Sequence, residues 1–303
     1  MDVLVTGAHG LIGTALLPGL RADGHRVVRL VRGEPEGSDD VRWDPAAGTI
    51  DAAGLEGVDA VVHLAGAGIG DKKWTPERKQ LILESRTQGT DLLARTLAGL
   101  DRPPQVLLSG SAVGYYGNRG AEELTEAAAP GDDFPARVCV AWEAATVPAE
   151  EAGIRVVHLR TGIVLSAHGG ALQRMLLPFK LGLGGRIGSG DQYMSWIAID
   201  DHVAALRHLL TADTVRGPVN LTAPNPSTNV EFTRALGAAV HRPTLLPTPL
   251  LPLKAVYGGE LVDSLLVHGQ RALPRALEQS GYEFGFPQLD DALRAVLAAP
   301  AAA

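Results

Sequence analysis

The chain has a single cysteine, Cys139, among 303 residues. One thiol excludes an internal disulfide and fits a reducing cytoplasm. Long basic runs are missing as well, and the formal net charge is −7. Affinity for nucleic acid or for an anionic membrane is therefore not expected, and a small-molecule ligand is. No hydrophobic run is long enough to span a bilayer. The most apolar late stretch, residues 245–256, is interrupted by Pro247, Pro249 and Pro252 and carries Lys254. The first residues run straight into Val3, Leu4 and Val5 without a basic segment and cleavage site, so no signal peptide is expected. Tandem repeats are absent too.

What the chain does contain is an alternation of short apolar runs with helical patterns. Residues 3–6 predict a buried strand, 7–13 a glycine-rich turn, and 12–22 a helix with Leu16, Leu17 and Leu20 on its apolar face and Gly24 as a stop. Residues 26–31 predict a second strand, which completes a βαβ unit. Further strands are expected at 59–64, 105–109 and 154–159. Helices are expected at 76–97 and at 135–150, where Pro148 should end the second one early. This order defines an α/β protein, a Rossmann-type doubly wound parallel sheet covered on both faces. Beyond Arg160 the composition changes. Residues 169–190 are rich in glycine, a strand follows at 219–221, and helices are expected at 231–240, 262–268 and 289–297. The expected division is a dinucleotide-binding domain at 1–165, with a strand returning near 217–223, and a smaller substrate lobe over most of 166–303. That lobe includes a small C-terminal domain at about 248–297. The alanine- and proline-rich end, 298–303, is expected to fray.

Gly7, Gly10 and Gly13 stand at spacing three and three, after a strand and at the opening of a helix. In that context the first glycine allows the tight turn, the second lets backbone approach a pyrophosphate, and the third permits close packing of helix on strand. Leu11 and Ile12 then offer backbone N–H groups at the positive end of the helix dipole. At the end of the second strand an acidic residue would bond a ribose diol, whereas an arginine accommodates a 2′-phosphate. Arg32 stands there. Arg29 precedes it on the opposite face of the strand, so one of the two points to the ligand, and Arg32, at the strand's end, is the choice. NADP(H) is accordingly favoured over NAD(H).

A set of further motifs narrows the assignment. They include Trp74-Thr75-Pro76-Glu77-Arg78-Lys79, Ser109-Gly110-Ser111-Ala112-Val113-Gly114-Tyr115-Tyr116-Gly117, Trp142-Glu143-Ala144, Leu159-Arg160-Thr161-Gly162, Ser195-Trp196-Ile197 and Gly269-Gln270-Arg271. Together with the glycine loop, the chain resembles the extended short-chain dehydrogenase/reductases, and more narrowly their atypical epimerase-like subfamily with a small C-terminal domain. The resemblance implies that Leu64, Ala65 and Gly66 line the cofactor and that Arg86 reaches its phosphates, the alternative being an exposed helix charge. Thr6 either adds a hydroxyl at the loop or simply finishes the strand.

The proton-transfer pair of that superfamily, a Tyr with a Lys four residues later, is missing. The tyrosines are Tyr115, Tyr116, Tyr193, Tyr257 and Tyr282, and none is followed by lysine at that spacing. By resemblance, Cys139 stands in the tyrosine position and Glu143 in the lysine position. A carboxylate beside a thiol opposes thiolate formation, so Cys139 reads as a small buried residue. Glu143 is a candidate acceptor for ribose hydroxyls, or else a solvated charge. Ser111 occupies the place of the serine that orients substrate. Tyr115 and Tyr116 offer either a replacement phenol, with Tyr116 the candidate, or aromatic packing. His63 reads as a satisfied core histidine, and Asp200 or Asp201 as the cap of a helix beginning near His202. The sequence thus predicts an NADP(H)-binding oxidoreductase or epimerase that acts on a small polar or sugar-like substrate by a non-standard mechanism. The alternative is an NADP(H)-sensing protein with little turnover. A homodimer fits the superfamily.

Overall fold

Alternation along the first strand sets the layers. In a computed structural model, which describes residues 1–298, β1 (Asp2–Thr6) sends Val3 and Val5 to one face of a sheet and Leu4 to the other, as pleated backbone requires. The expected fraying therefore falls on residues lying almost wholly outside those described. Helix α1 (Leu11–Ala22) lays Leu16 and Leu20 on the first face. The strands β2 (Arg26–Val31), β3 (Asp40–Asp44) and β4 (Thr49–Ile50) extend the sheet on one side. β5 (Ala60–His63), β6 (Val106–Ala112) and β8 (Arg155–Thr161) extend it on the other, and β7 (Glu123–Leu124) lies outside it. Helix α2 (Pro76–Ala98), capped by the Thr75 side chain, buries Leu93, Ala94 and Leu97 on the second face against Leu4, Val61 and Leu107. The predicted helix 135–150 is two helices, α3 (Phe134–Ala144) and α4 (Val147–Glu151). Pro148 does end α3 early, at Ala144, because its ring would crowd the Ala144 carbonyl in a continuous helix. It sits in the first turn of α4, where a missing N–H costs nothing.

The second half begins with β9 (Ile163–Leu165), which pairs with β11 (Trp196–Ala198). Between them come α5 (Gly170–Lys180) and β10 (Tyr193–Met194). Helix α5 is hidden in sequence by its glycines, yet Leu172, Leu176 and Phe179 form one buried stripe. The chain then returns to the sheet with a helix as well as a strand. α6 (Ile199–Thr211) packs Leu206 and Leu209 beside Leu16 and Leu20, and β12 (Gly217–Leu221) lies parallel to β8. Asp200 and Asp201 do not cap α6. It starts at Ile199 with Ala198 as its N-cap, and Asp201 turns inward to accept N–H bonds from Gly285 (2.7 Å) and Phe286 (2.9 Å). The remaining elements are β13 (Ser227–Thr228), α7 (Asn229–Ala239), α8 (Leu250–Tyr257), α9 (Gly259–Val262), a π-helical turn Asp263–Val267, β14 (Arg271–Ala272), α10 (Arg275–Gln279) and α11 (Leu289–Ala298). Trp196, Phe232, Leu236 and Leu293 centre the core of this lobe.

The main sheet has the order β12-β8-β6-β5-β1-β2-β3-β4, parallel except for β4. From β1 the chain winds outward through β2 and β3, then crosses to β5 on the other side. The crevice at the carboxyl ends of β1 and β5 is thus the topological switch point, where open α/β sheets bind ligands.

Candidate functional site

The turn after β1 is built around backbone. Gly7 has φ +68°, and a Cβ on it would lie 3.0 Å from the carbonyl of Leu64 across the crevice. A Cβ on Gly13 would lie 2.4 Å from the Gly7 carbonyl oxygen, so helix and turn can meet only without a side chain there. Gly10 is the N-cap of α1, and its N–H donates to the Gly7 carbonyl (2.9 Å). No side chain caps this helix, and the N–H groups of Leu11, Ile12 and Gly13 make no backbone hydrogen bond. Three donors and the positive end of a three-turn dipole therefore face the crevice. The side chains of Leu11 and Ile12 are occupied elsewhere. Leu11 packs against Gly169 and Gly170, and Ile12 joins the core. Any ligand contact they make comes from their backbone.

Thr6 requires a correction. Its side chain is fully buried and does not reach the crevice. Its hydroxyl oxygen accepts the N–H groups of Leu64 (3.0 Å) and Ala65 (3.1 Å), which fixes the exit of β5. With its lone pairs so used, its proton goes to His63 Nδ1 at 2.7 Å. That leaves the His63 Nε2–H to donate to Thr90 (2.9 Å), which also accepts the Trp142 indole N–H (3.0 Å). Burial pushes the His63 pKa down to about 4, so the imidazole is neutral. Thr6 supports the crevice through Leu64 and Ala65.

Among the described residues, two cations border this floor without a carboxylate partner. Arg86 crosses over Gly66, where a Cβ would lie 3.4 Å from the guanidinium carbon. Its Nη1 donates to the carbonyls of Ala67 (2.9 Å) and Ile82 (3.1 Å), and its plane lies over Trp142. Burial is the main cause that pulls its pKa down, and among the described residues no carboxylate pairs with it. Arg32, one residue past β2, is exposed and has no ion-pair partner among the described residues. Arg29, the rejected alternative, is held bidentately by Asp40 at 2.7 and 2.8 Å.

The corner where proton transfer would be sought is the opposite case. Glu143 accepts Arg160 on both oxygens (2.8 and 2.9 Å) and the Ser111 hydroxyl (2.7 Å). It is thus neither a free acceptor for ribose nor a solvated charge, as the sequence reading had it. Ser111, meant to orient substrate, has its proton committed to Glu143 and is itself buried. Tyr116 is also corrected. It is fully buried, donates to Asn220 (2.7 Å) and accepts from Arg160 (3.1 Å), so it supplies no phenol to a ligand. Tyr115 lies flat against the Arg160 guanidinium, 3.4 Å from its carbon. Burial, with Glu143 beside it, pushes the Cys139 thiol up to about 12. Burial alone would lower the Arg160 pKa, but Glu143 outweighs it and holds the pKa above the ordinary value. Arg160 was the residue sequence reasoning missed. Its signal was a charged side chain inside an otherwise buried strand, which requires a partner.

A glycine turn that opens an uncapped helix at the switch point of a parallel sheet defines a Rossmann-type dinucleotide-binding protein. Comparison with known proteins makes this specific: the NAD dependent epimerase/dehydratase family matches residues 3–221, and the chain belongs to that family. A domain of unknown function (DUF1731) matches residues 248–296. The epimerase family protein MT2273 of Mycobacterium tuberculosis is 46% identical over 96% of each chain. The human epimerase family protein SDR39U1, solved with NADPH, superposes with a TM-score of 0.89 at 38% identity, over 98% of this chain and 99% of that one. A nucleoside-diphosphate sugar epimerase from Corynebacterium glutamicum superposes with a TM-score of 0.80 at 36% identity, over 97% of this chain and 57% of that one. Among the described residues no helix is long and apolar enough to cross a membrane, and no cluster of His, Cys, Asp or Glu is placed to hold a metal ion.

Proposed function

We propose that this protein binds NADP(H) in preference to NAD(H) and works as an oxidoreductase or epimerase on a small polar, sugar-like substrate. The observation that carries this reading is the pairing of open donors with unpaired cations. The N–H groups of Leu11, Ile12 and Gly13 would hold the pyrophosphate, with Gly7 and Gly10 admitting it to the backbone. Arg32 would take the 2′-phosphate, and Arg86 a diphosphate oxygen across Gly66. Leu64, Ala65 and Gly66 would form the floor. When bound, the nicotinamide supplies a hydride donor or acceptor. The sugar-like substrate class is supported by the nucleoside-diphosphate sugar epimerase among the similar structures. A reducing compartment such as the cytoplasm suits the single free thiol.

The saturated corner around Glu143 supports a second reading, an NADP(H)-occupied sensor without turnover. One experiment separates the two. Purified protein is titrated with NADPH and NADH by calorimetry, then incubated with NADPH and a panel of ketones and nucleotide sugars. Tight NADPH binding with cofactor oxidation or sugar epimerisation supports the enzyme. Tight binding with neither supports the sensor, and failure to bind either dinucleotide overturns both.

A further inference from the structure

Among the described residues, most of the large apolar side chains left in water belong to two segments of the second lobe. Leu177, Leu181, Leu183, Leu245, Leu246 and Leu251 are each between 63% and 88% exposed. Leu177 and Leu181 stand one turn apart at the end of α5. The chain beyond α5 then runs beside residues 242–250. Arg242 Nε donates to the Lys180 carbonyl (2.9 Å), and Thr248 donates through its N–H to the Arg186 carbonyl (2.8 Å) and through its hydroxyl to the Gly185 carbonyl (2.9 Å). At Gly185 the two backbones touch, since a Cβ there would lie 1.7 Å from the Leu246 carbonyl oxygen. The exposed leucines of both segments thus share one surface. Helix α8 follows directly. Its residues are apolar except Lys254, yet none of them is buried. A helix apolar on all sides is ordinarily covered.

Charge sets the same surface apart. Residues 152–190 and 232–259 contain no Asp or Glu, in a chain that carries 34 of them and a formal net charge of −7. The cations here are Lys180, Arg186, Arg242 and Lys254. Lys254 is paired with Asp263 (2.7 Å). The other three are exposed and, among the described residues, meet no carboxylate. Arg186 donates to the carbonyls of Gly188 (2.5 Å) and Ser189 (3.1 Å), and Arg242 to those of Lys180 and His241 (3.1 Å). The net charge argues against anionic membranes only as an average, and folding collects the exception on one face.

A face that is apolar and cationic at once fits an anionic lipid surface. A second copy of the chain would set the same three cations against themselves in a two-fold contact. A peptide groove would half-hide its lining leucines between walls, whereas these protrude. A bilayer moulds around protrusions and supplies the missing anions. We propose that the end of α5, the paired segments 181–188 and 242–250, and α8 form a docking surface for an anionic membrane. The leucines enter the boundary between headgroups and acyl chains, while Lys180, Arg186 and Arg242 meet the anionic headgroups. Lasting attachment to a membrane takes two signals, apolar insertion and a basic patch, and this face holds both. The docking does not depend on which dinucleotide the crevice binds.

The test is co-sedimentation of the full chain with vesicles of phosphatidylcholine alone or mixed with phosphatidylserine. The wild type should bind the mixed vesicles, more weakly as salt is raised, and should bind phosphatidylcholine alone far less. Lys180→Gln with Arg242→Gln should weaken binding roughly 25-fold, about fivefold for each cation. Leu245→Ser with Leu246→Ser should weaken it at least about tenfold. Both variants should keep the wild-type urea midpoint, which shows that the fold is intact. A wild type that stays in the supernatant with mixed vesicles at low salt overturns the inference. So does binding that is indifferent to phosphatidylserine, or that both variants retain in full. Sedimentation velocity covers the other occupant: a dimer that the leucine variant dissolves, without vesicle binding, assigns the face to a second copy and overturns the membrane.

Discussion

Two parts of one crevice are finished in opposite ways. Around residues 7–13 the backbone donors of Leu11, Ile12 and Gly13 are left open, and among the described residues Arg32 and Arg86 have no carboxylate partner. A few side chains away, Ser111, Glu143, Arg160, Tyr116 and Asn220 saturate one another. Buried polar groups are costly unless paired. A fold that leaves cations and N–H groups unpaired at a sheet edge is shaped for an anion, while a closed network is shaped to hold its own elements in place. The same residue types thus mean different things on the two sides, and only their partners tell which.

The largest effect should come from breaking the closed side. Glu143→Ala strands Arg160, which is 3% exposed, and leaving a buried charge unpaired costs about 3–5 kcal/mol. Urea unfolding should show that loss, and a double change, Glu143→Leu with Arg160→Met, should recover much of it. An unchanged midpoint for Glu143→Ala would mean the pair is not structural.

Comparable in size is a pH effect from two buried histidines, one under the exit of β5 and one on α6. Burial pushes the pKa values of His63 and His202 down to about 4, from an ordinary value of about 6.5. The folded state then binds fewer protons than the unfolded chain between those values. Stability is complete above about pH 6.5, declines below it at up to roughly 1.4 kcal/mol per pH unit for each histidine, and the decline ends near pH 4. Denaturant midpoints measured from pH 7 to 4.5 should show that slope, and His63→Gln should remove its share.

On the open side, Arg32→Asp should weaken NADPH about 10- to 100-fold, the equivalent of one charged hydrogen bond of about 1.5–3 kcal/mol. NADH should change little. Equal losses for both dinucleotides, measured by calorimetry, would remove Arg32 from the 2′-phosphate. The smallest effect should be Arg86→Gln. It should cost about tenfold for both dinucleotides, with little change in unfolding midpoint, because Arg86 has no ion pair to lose. A large loss of stability instead would place Arg86 with the closed network.

Much of this was legible in the chain. The continuous apolar runs at Val3–Val5 and Ala60–Val62 gave the buried strands, and the Gly7, Gly10 and Gly13 spacing gave the turn, because both depend on local sequence. The outlying strand β3 and helix α5 were missed, since Val41 and Trp43 alternate too briefly and the glycines around α5 mask its apolar stripe. The absence of a Tyr–Lys pair was also readable by inspection. By itself, then, the sequence determined the sheet, the phosphate-facing turn and the lack of the usual acid. What only the tertiary structure decided is which polar groups are spent. Thr6 bonds the exit of β5, Tyr116 bonds Asn220, and Glu143 bonds Arg160, across sequence separations of 58, 104 and 17 residues. No local pattern records such partners. They meet because parallel strands bring their carboxyl ends together at one edge, where packing assigns each donor an acceptor and leaves the glycine turn with donors to spare.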